Sequence, residues 1–223
     1  MTNQYNSDYF LWQRNIGQKN IMHLKKRFSK FIDSDSTVLD FGCGGGFLLN
    51  SLDCREKIGY DVNKHALENL YEFDIQPCQN LNEIKENTID VIISNSCLEH
   101  VPNPLNSLLE LKNKLKTNGQ IVFSVPHETI GNHYKPGDIN YHLYTWSPMT
   151  IGNLFNEAGF KNIKVVTYRE MGLPREYKLR GLIPMVILNI IRKPYRIFRL
   201  ILDELNIIRL GVGGHVLVHA TIN

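Results

Sequence analysis

A chain of 223 residues with 43% hydrophobic and 21% charged content has an ordinary globular composition and can bury one sizeable core. Its formal charge of +3 is modest and its basic residues form no long run, so nothing overall demands nucleic acid as a partner. The four cysteines, Cys43, Cys54, Cys78 and Cys97, follow one another at 11, 24 and 19 residues, which excludes a zinc CxxC pattern or a disulfide framework and reads as reduced, mostly buried thiols.

The opening stretch MTNQYNSDYFLWQRN is polar and lacks the apolar core of a secretory signal, so a cytoplasmic location is expected. Phe10, Trp12, Ile16, Ile21, Leu24 and Phe28 recur near helical spacing and predict one or two amphipathic helices. The pattern then changes to short β-rich runs, TVLDF, KIGYD, IDVIIS and GQIVFSV. Helix-compatible stretches FLLNSL, KHALENLYEF and PLNSLLELKNKLK lie between them, the last closed by Asn118-Gly119. Such alternation predicts an α/β fold, a doubly wound, mostly parallel sheet covered on both faces.

A loop rich in His, Tyr and Pro follows, then a helix (SPMTIGNLFNEAGF), a strand (KNIKVVTYR), an apolar and basic segment, and a closing strand (HVLVHATIN). The longest apolar run, GLIPMVILNII, is followed at once by RKPYR and falls short of the roughly 18 residues a membrane span requires. From Arg169 to Arg209 nine lysines and arginines face four acids, a net +5, so the rest of the chain is slightly acidic and the positive charge is concentrated here. The chain therefore reads as one domain: a helical cap over 1–34, a ligand-binding core over 35–168, a helical insertion or lid over 169–213, and a closing strand over 214–223.

The stretch STVLDFGCGGGFLLN places four glycines within five positions after the first strand. In open parallel sheets a glycine turn between first strand and first helix is the usual floor of a ligand site, because bare backbone can approach the ligand closely. Gly42, Gly44 and Gly46 would form it. Counting G-x-G-x-x-G from Gly42 puts Phe47 at the third glycine, which weakens a dinucleotide reading, and no Gly-Lys-Ser/Thr follows, which excludes a P-loop. The next strand ends in Asp61, 19 residues after Gly42, where a carboxylate can accept both ribose hydroxyls of any nucleoside cofactor or cap the following helix.

VLDFGCGGG, GYDVN, IDVIISNSCLEHVPNP, LKTNGQIVFSVP and HLYTWSPMTIGNLFNEAGF, in this order and spacing over about Ser36 to Tyr168, resemble class I S-adenosylmethionine-dependent methyltransferases, in particular the small-molecule branch with quinone and sugar methyltransferases. The resemblance implies a seven-stranded Rossmann-like sheet with its last strand antiparallel, and S-adenosyl-L-methionine as cofactor. Asp40, Gly42, Cys43 and Gly44 match the positions that hold the methionine part, Asp61 the ribose acid, Val62 a flank of the adenine, and Asn95, Ser96 and Leu98 the wall near the sulfonium. Where the family often has an Asp after the third strand for the adenine amine, this chain reads CQNLNEI, leaving that task to Gln79, Asn80 or a backbone carbonyl.

Methyl transfer needs in-line positioning and exclusion of water, and a hydroxyl acceptor also needs a base, for which His suits neutral pH. Of His100, His127, His133 and His142 near the expected rim, His142 is favoured as base or acceptor orienter, with His100 the second candidate and otherwise holding a turn. No Asp/Glu pair has ligand spacing, so no metal is expected. DNA-base methylation is demoted because SNSCLEH stands where a Pro-Pro-aromatic turn would be. The expected acceptor is a small molecule or glycan precursor, with a hydroxyl methylated and Tyr134, Tyr141, Tyr144 and Trp146 edging a sugar pocket. The alternative is a quinone or other lipid phenol under the apolar lid. Further alternatives are a non-catalytic S-adenosylmethionine-binding protein and an NAD-dependent oxidoreductase. The insertion is expected to act as a lid, a dimer interface, or a contact with anionic membrane or a lipid-linked acceptor, in a monomer or homodimer.

Overall fold

A computed structural model describes residues 7–127, 134, 136–169 and 214–223, with isolated positions 187, 190, 191, 194, 195, 197 and 198. Expectations about most of the 169–213 insertion, and about His133, fall outside these residues. The strands are β1 (Thr37–Phe41), β2 (Glu56–Tyr60), β3 (Gln76–Cys78), β4 (Ile89–Asn95), β5 (Leu115–His127), β6 (Lys161–Arg169) and β7 (Gly214–Thr221). They form one sheet in the order β3-β2-β1-β4-β5-β7-β6. Every described pairing is parallel except those of β7, which runs antiparallel to both β5 and β6. The winding direction reverses between β1 and β4, and this is where open sheets take their ligands.

Helices α1 (Ser7–Phe28), α2 (Phe47–Ser51), α3 (Lys64–Glu68), α4 (Pro104–Lys114) and α5 (Pro148–Glu157) cover the two faces. Strand alternation sorts the core accordingly. Phe41, Ile92, Ile121, Phe123 and Val125 point to the face holding Leu108, Leu111, Ile151 and Phe155 of α4 and α5. Val38, Val91, Ile93 and Val122 point to the face holding Phe28 of α1 with Leu48 and Leu49 of α2. The N-terminal periodicity resolves into one 22-residue helix. Asn63 caps α3 and Asn103 caps α4, while Ser147 and Thr150 form a reciprocal capping box at the start of α5.

One boundary differs from the sequence reading. Helix α4 ends at Lys114, and Asn118-Gly119 lies inside a 13-residue β5 instead of closing the helix. The ladder passes from Ile89↔Leu115 to Val91↔Gln120, so the turn-forming pair sits in a bulge. The buried Leu115 captures its position opposite Ile89, and this tertiary burial overrides the local turn signal.

Phe123 of the central β5 is fully buried, with ring centroids 6.0 Å from Phe41 and 5.7 Å from Phe155. Phe123→Ala is expected to lower unfolding free energy by about 3–5 kcal/mol with an unchanged denaturant slope. A loss under about 1 kcal/mol in urea unfolding would contradict this account of the core.

Candidate active site

The glycine turn is built around Asp61. Its Oδ2 accepts from Gly44 N at 2.9 Å and its Oδ1 from Asn63 N at 2.8 Å, so one buried carboxylate ties the end of β2 to the turn after β1. Gly42 N and Cys43 N both donate to Tyr60 O, at 2.8 and 3.0 Å, and Gly46 N donates to Cys43 O at 3.0 Å. The N–H groups of Gly42, Cys43, Gly44 and Gly46 are thus directed inward. A dinucleotide pyrophosphate needs those donors, so the geometry disfavours the oxidoreductase reading.

What the turn offers instead is space. Gly42 has φ +79°, and a Cβ there would overlap the Cys97 side chain. Gly44 has φ +51°, and a Cβ would press on Gln13 of α1, 3.1 Å from its Oε1. The first helix therefore roofs the turn. Cys43 contributes backbone only, since its buried thiol packs into the core beneath.

Asp40, at the end of β1, is 2% exposed. Burial, reinforced by the Asp61 charge, pushes its carboxyl up to about 8. Burial raises Asp61 as well, while the Asn63, Gly44 and Val62 N–H groups pull it back. A cationic guest would draw the proton off Asp40 and be held by the carboxylate formed beside Asp61, and the ammonium and sulfonium of S-adenosylmethionine fit that chemistry. The retained lone pairs of Asp61 fit a ribose. Val62 stands 46% exposed beside it, as an adenine flank requires. Gln79 and Asn80 line a groove of about 480 Å³ with Tyr60, Leu81, Glu83 and Glu110. Asn80 Oδ1 already accepts from Asn82 N at 3.0 Å, which makes that side chain a turn cap.

Asn95 ends β4 with its Oδ1 buried and without a hydrogen bond, and Ser96 follows with φ +54°, its N–H donating to Ser124 O at 2.8 Å. Leu98 is sealed in the core at 0% exposure, so it supports this wall from behind and does not face a ligand.

Beyond the wall, the 3-10 turn Leu98–His100 meets the loop before α5. Leu143 N and Tyr144 N donate to Glu99 O at 2.9 and 3.2 Å, which sets His142 against His100 with ring centroids 4.9 Å apart. The fully buried Glu99 carboxylate faces both imidazoles, at 3.9 Å from His100 Nε2 and 4.0 Å from His142 Nε2. Burial and the neighbouring His142 push His100 down to about 4, so it is neutral at physiological pH. The two sequence candidates thus converge, and Glu99 is the partner that sequence reasoning missed. Donor atoms of Glu99, His100 and His142 lie within 4.8 Å of one another, a set compatible with a divalent cation. Spacing along the chain does not reveal it, because His142 arrives from a different loop.

His127 Nδ1 instead bonds Trp146 O at 2.8 Å. Trp146 is 6% exposed and stacks on Tyr144, whose hydroxyl bonds Pro102 O, so the expected aromatic rim loses Trp146 to the core. Tyr134 and Tyr141 remain exposed.

Residues 12–165 match the family described as Methyltransferase domain. Relatives include a ubiquinone biosynthesis O-methyltransferase of Photobacterium profundum, 32% identical over 99 residues covering 39% of this chain and 42% of that protein. Another, from Nitrosococcus oceani, is 36% identical over 104 residues covering 41% and 44%. The matches thus span less than half the length of these relatives. Among solved structures, a SAM-dependent methyltransferase from Archaeoglobus fulgidus aligns with TM-score 0.66 and 19% identity over 96% of this chain and 99% of that one. One from Thermotoga maritima aligns with TM-score 0.65 and 15% identity over 97% and 99%. At these identities the likeness is one of fold.

Because folding raises the Asp40 pKa from its ordinary 3.8, its protonated form stabilises the fold below the ordinary carboxylate range, and that contribution is lost as pH rises through about 8. Asp40→Asn stays neutral throughout, so its melting temperature should gain on that of the ligand-free parent between roughly pH 5 and pH 9. A difference that does not change with pH would contradict the buried, protonated Asp40.

Proposed function

The chain belongs to the methyltransferase domain family, and from that premise we propose that it transfers the methyl group of S-adenosylmethionine to a hydroxyl of a small phenolic acceptor of the quinone-precursor type. The observation that carries this reading is the adjacency of two built features: the Asp61-tied cradle, and the Glu99–His100–His142 cluster that begins three residues beyond Ser96. The names of the relatives support the quinone class, and the withdrawal of Trp146 from the rim removes part of the argument for a sugar.

In this reading the cofactor, when bound, supplies an electrophilic methyl group on a sulfonium that leaves as a neutral thioether. Asp40 and the turn would hold the methionine end, Asp61 the ribose, Val62 and Gln79 the adenine. Asn95 and Ser96 would face the reacting centre and exclude water there. His142 accepts the proton of the acceptor hydroxyl, and the Glu99 carboxylate 4.0 Å away stabilises the imidazolium that forms. Neutral His100 orients the acceptor beside it.

His142→Ala should lower turnover with labelled cofactor and a catechol acceptor by about 10²–10⁴-fold while S-adenosylhomocysteine binding persists. Full turnover in that variant would remove His142 from the mechanism. Activity that is lost on chelation and restored by a divalent cation would reassign the Glu99–His100–His142 cluster to metal binding.

A contact with anionic membrane is favoured by one further observation. Positions 187, 190, 191, 197 and 198 are helical, and Ile187, Ile190, Ile191, Ile197 and Phe198 there stand between 43% and 65% exposed. Interspersed in the same stretch of sequence are Arg192, Lys193, Arg196 and Arg199. The protein should co-sediment with phosphatidylglycerol vesicles at low salt and be released at high salt. No sedimentation at low salt would leave the segment as a lid or an interface.

A further inference from the structure

Asn95, the last residue of β4, carries a carbonyl oxygen that takes no part in holding the fold. Its Oδ1 is buried, and among the described residues nothing donates to it. The other end of the amide is placed, since Nδ2 lies 3.4 Å from Ser96 Oγ. Ser96 itself has φ +54°, a conformation that L side chains rarely adopt, and the bond from its N–H to Ser124 O at 2.8 Å holds it there. A buried carbonyl oxygen without a donor is costly, so one that persists beside a strained residue marks a place where a ligand completes the bonding.

The position of this oxygen says which ligand. The winding of the sheet reverses between β1 and β4, and Asn95 stands at the carboxyl end of β4, just beyond Ile93, the partner of Asp40. Alternation from Ile93 puts its side chain on the face covered by α1. That helix touches the glycine turn through Gln13 and reaches Ser124, the ladder partner of Asn95, through Arg27, so the amide lies under the same roof as the cradle. Between cradle and amide, the Cys97 side chain fills the space against Gly42. In the methyltransferase reading the cofactor's own donors, its ammonium and its ribose hydroxyls, go to Asp40 and Asp61. That leaves Asn95 Oδ1 to the other reactant.

We propose that Asn95 Oδ1 accepts a hydrogen bond from an N–H or O–H group of the methyl acceptor, and so determines which acceptors are admitted. This rests on the methyltransferase reading for what occupies the crevice. Because His142 takes the proton of the reacting hydroxyl, the donor at Asn95 is a second one. An acceptor without it leaves Oδ1 buried and unpaired in the complex, and a site built for such a bond rejects analogues that lack it.

The test is calorimetric titration of the protein loaded with S-adenosylhomocysteine, using catechol, 2-aminophenol and 2-fluorophenol, rings of similar shape of which the last lacks the second donor. Catechol or 2-aminophenol should bind about tenfold more tightly than 2-fluorophenol, and the better of the two identifies the donor. Asn95→Leu and Asn95→Ala should both abolish that preference, whereas Asn95→Asp, which keeps an accepting oxygen, should retain part of it. Without ligand the two apolar variants should melt no lower than the parent, since each removes a buried oxygen that has no partner. Equal binding of the three probes, no binding of any at millimolar concentration, a preference that survives in both apolar variants, or a ligand-free melting temperature lowered in both would overturn the proposal. Weakened S-adenosylhomocysteine binding in both folded apolar variants would overturn it too, by giving the oxygen to the cofactor. Failure of S-adenosylhomocysteine to bind the parent would instead overturn the methyltransferase reading on which the proposal rests.

Discussion

Everything at this site hangs on one buried carboxylate. Asp61 accepts from Gly44 on one oxygen and from Asn63 on the other, so it closes the turn after β1, starts α3 and still faces the crevice where the winding of the sheet reverses. A glycine turn without it would be a loop of high entropy and undefined shape. With it, the bare backbone becomes a cradle in which the Gly42, Cys43, Gly44 and Gly46 N–H groups donate internally and two buried carboxyls line the floor. Donors turned inward separate a nucleoside that brings donors of its own from a dinucleotide phosphate, which needs them.

Much of this was legible in the sequence because it is local. The VLDFGCGGG run, the acid at the end of the second strand and the alternation of strand and helix depend on neighbours within a few residues, and the structure places them as read. The direction of the turn's N–H groups was not legible, because it depends on Tyr60 presenting its carbonyl across the sheet. Nor was Glu99, whose role emerges only when the backbone of Leu143 and Tyr144 docks on its carbonyl and carries His142 to it. Trp146 misled for a related reason: an aromatic in a loop reads as a rim, but its ring is absorbed by the core beneath α5. Asn118-Gly119 misled because the burial of Leu115 prolongs β5 past a local stop signal.

Buried acids gather at two places in the site. Asp40 and Asp61 line the cradle, and Glu99 lies against His100 and His142. Arg27 and His215 both reach Ser124, the ladder partner of Asn95. Helix α1 spans this face, touching the glycine turn through Gln13 and Ser124 through Arg27. Among the described residues no helix is long and apolar enough to cross a membrane.

The most direct measurement is calorimetry of S-adenosylhomocysteine binding to the parent protein and to Asp61→Ala, with folding of both verified by circular dichroism. The account predicts one site per chain, with affinity weakened by about two orders of magnitude or more when the carboxylate is removed, since it takes both ribose hydroxyls and the turn's support with it. Undiminished affinity in Asp61→Ala, or no heat from the folded parent, would contradict it.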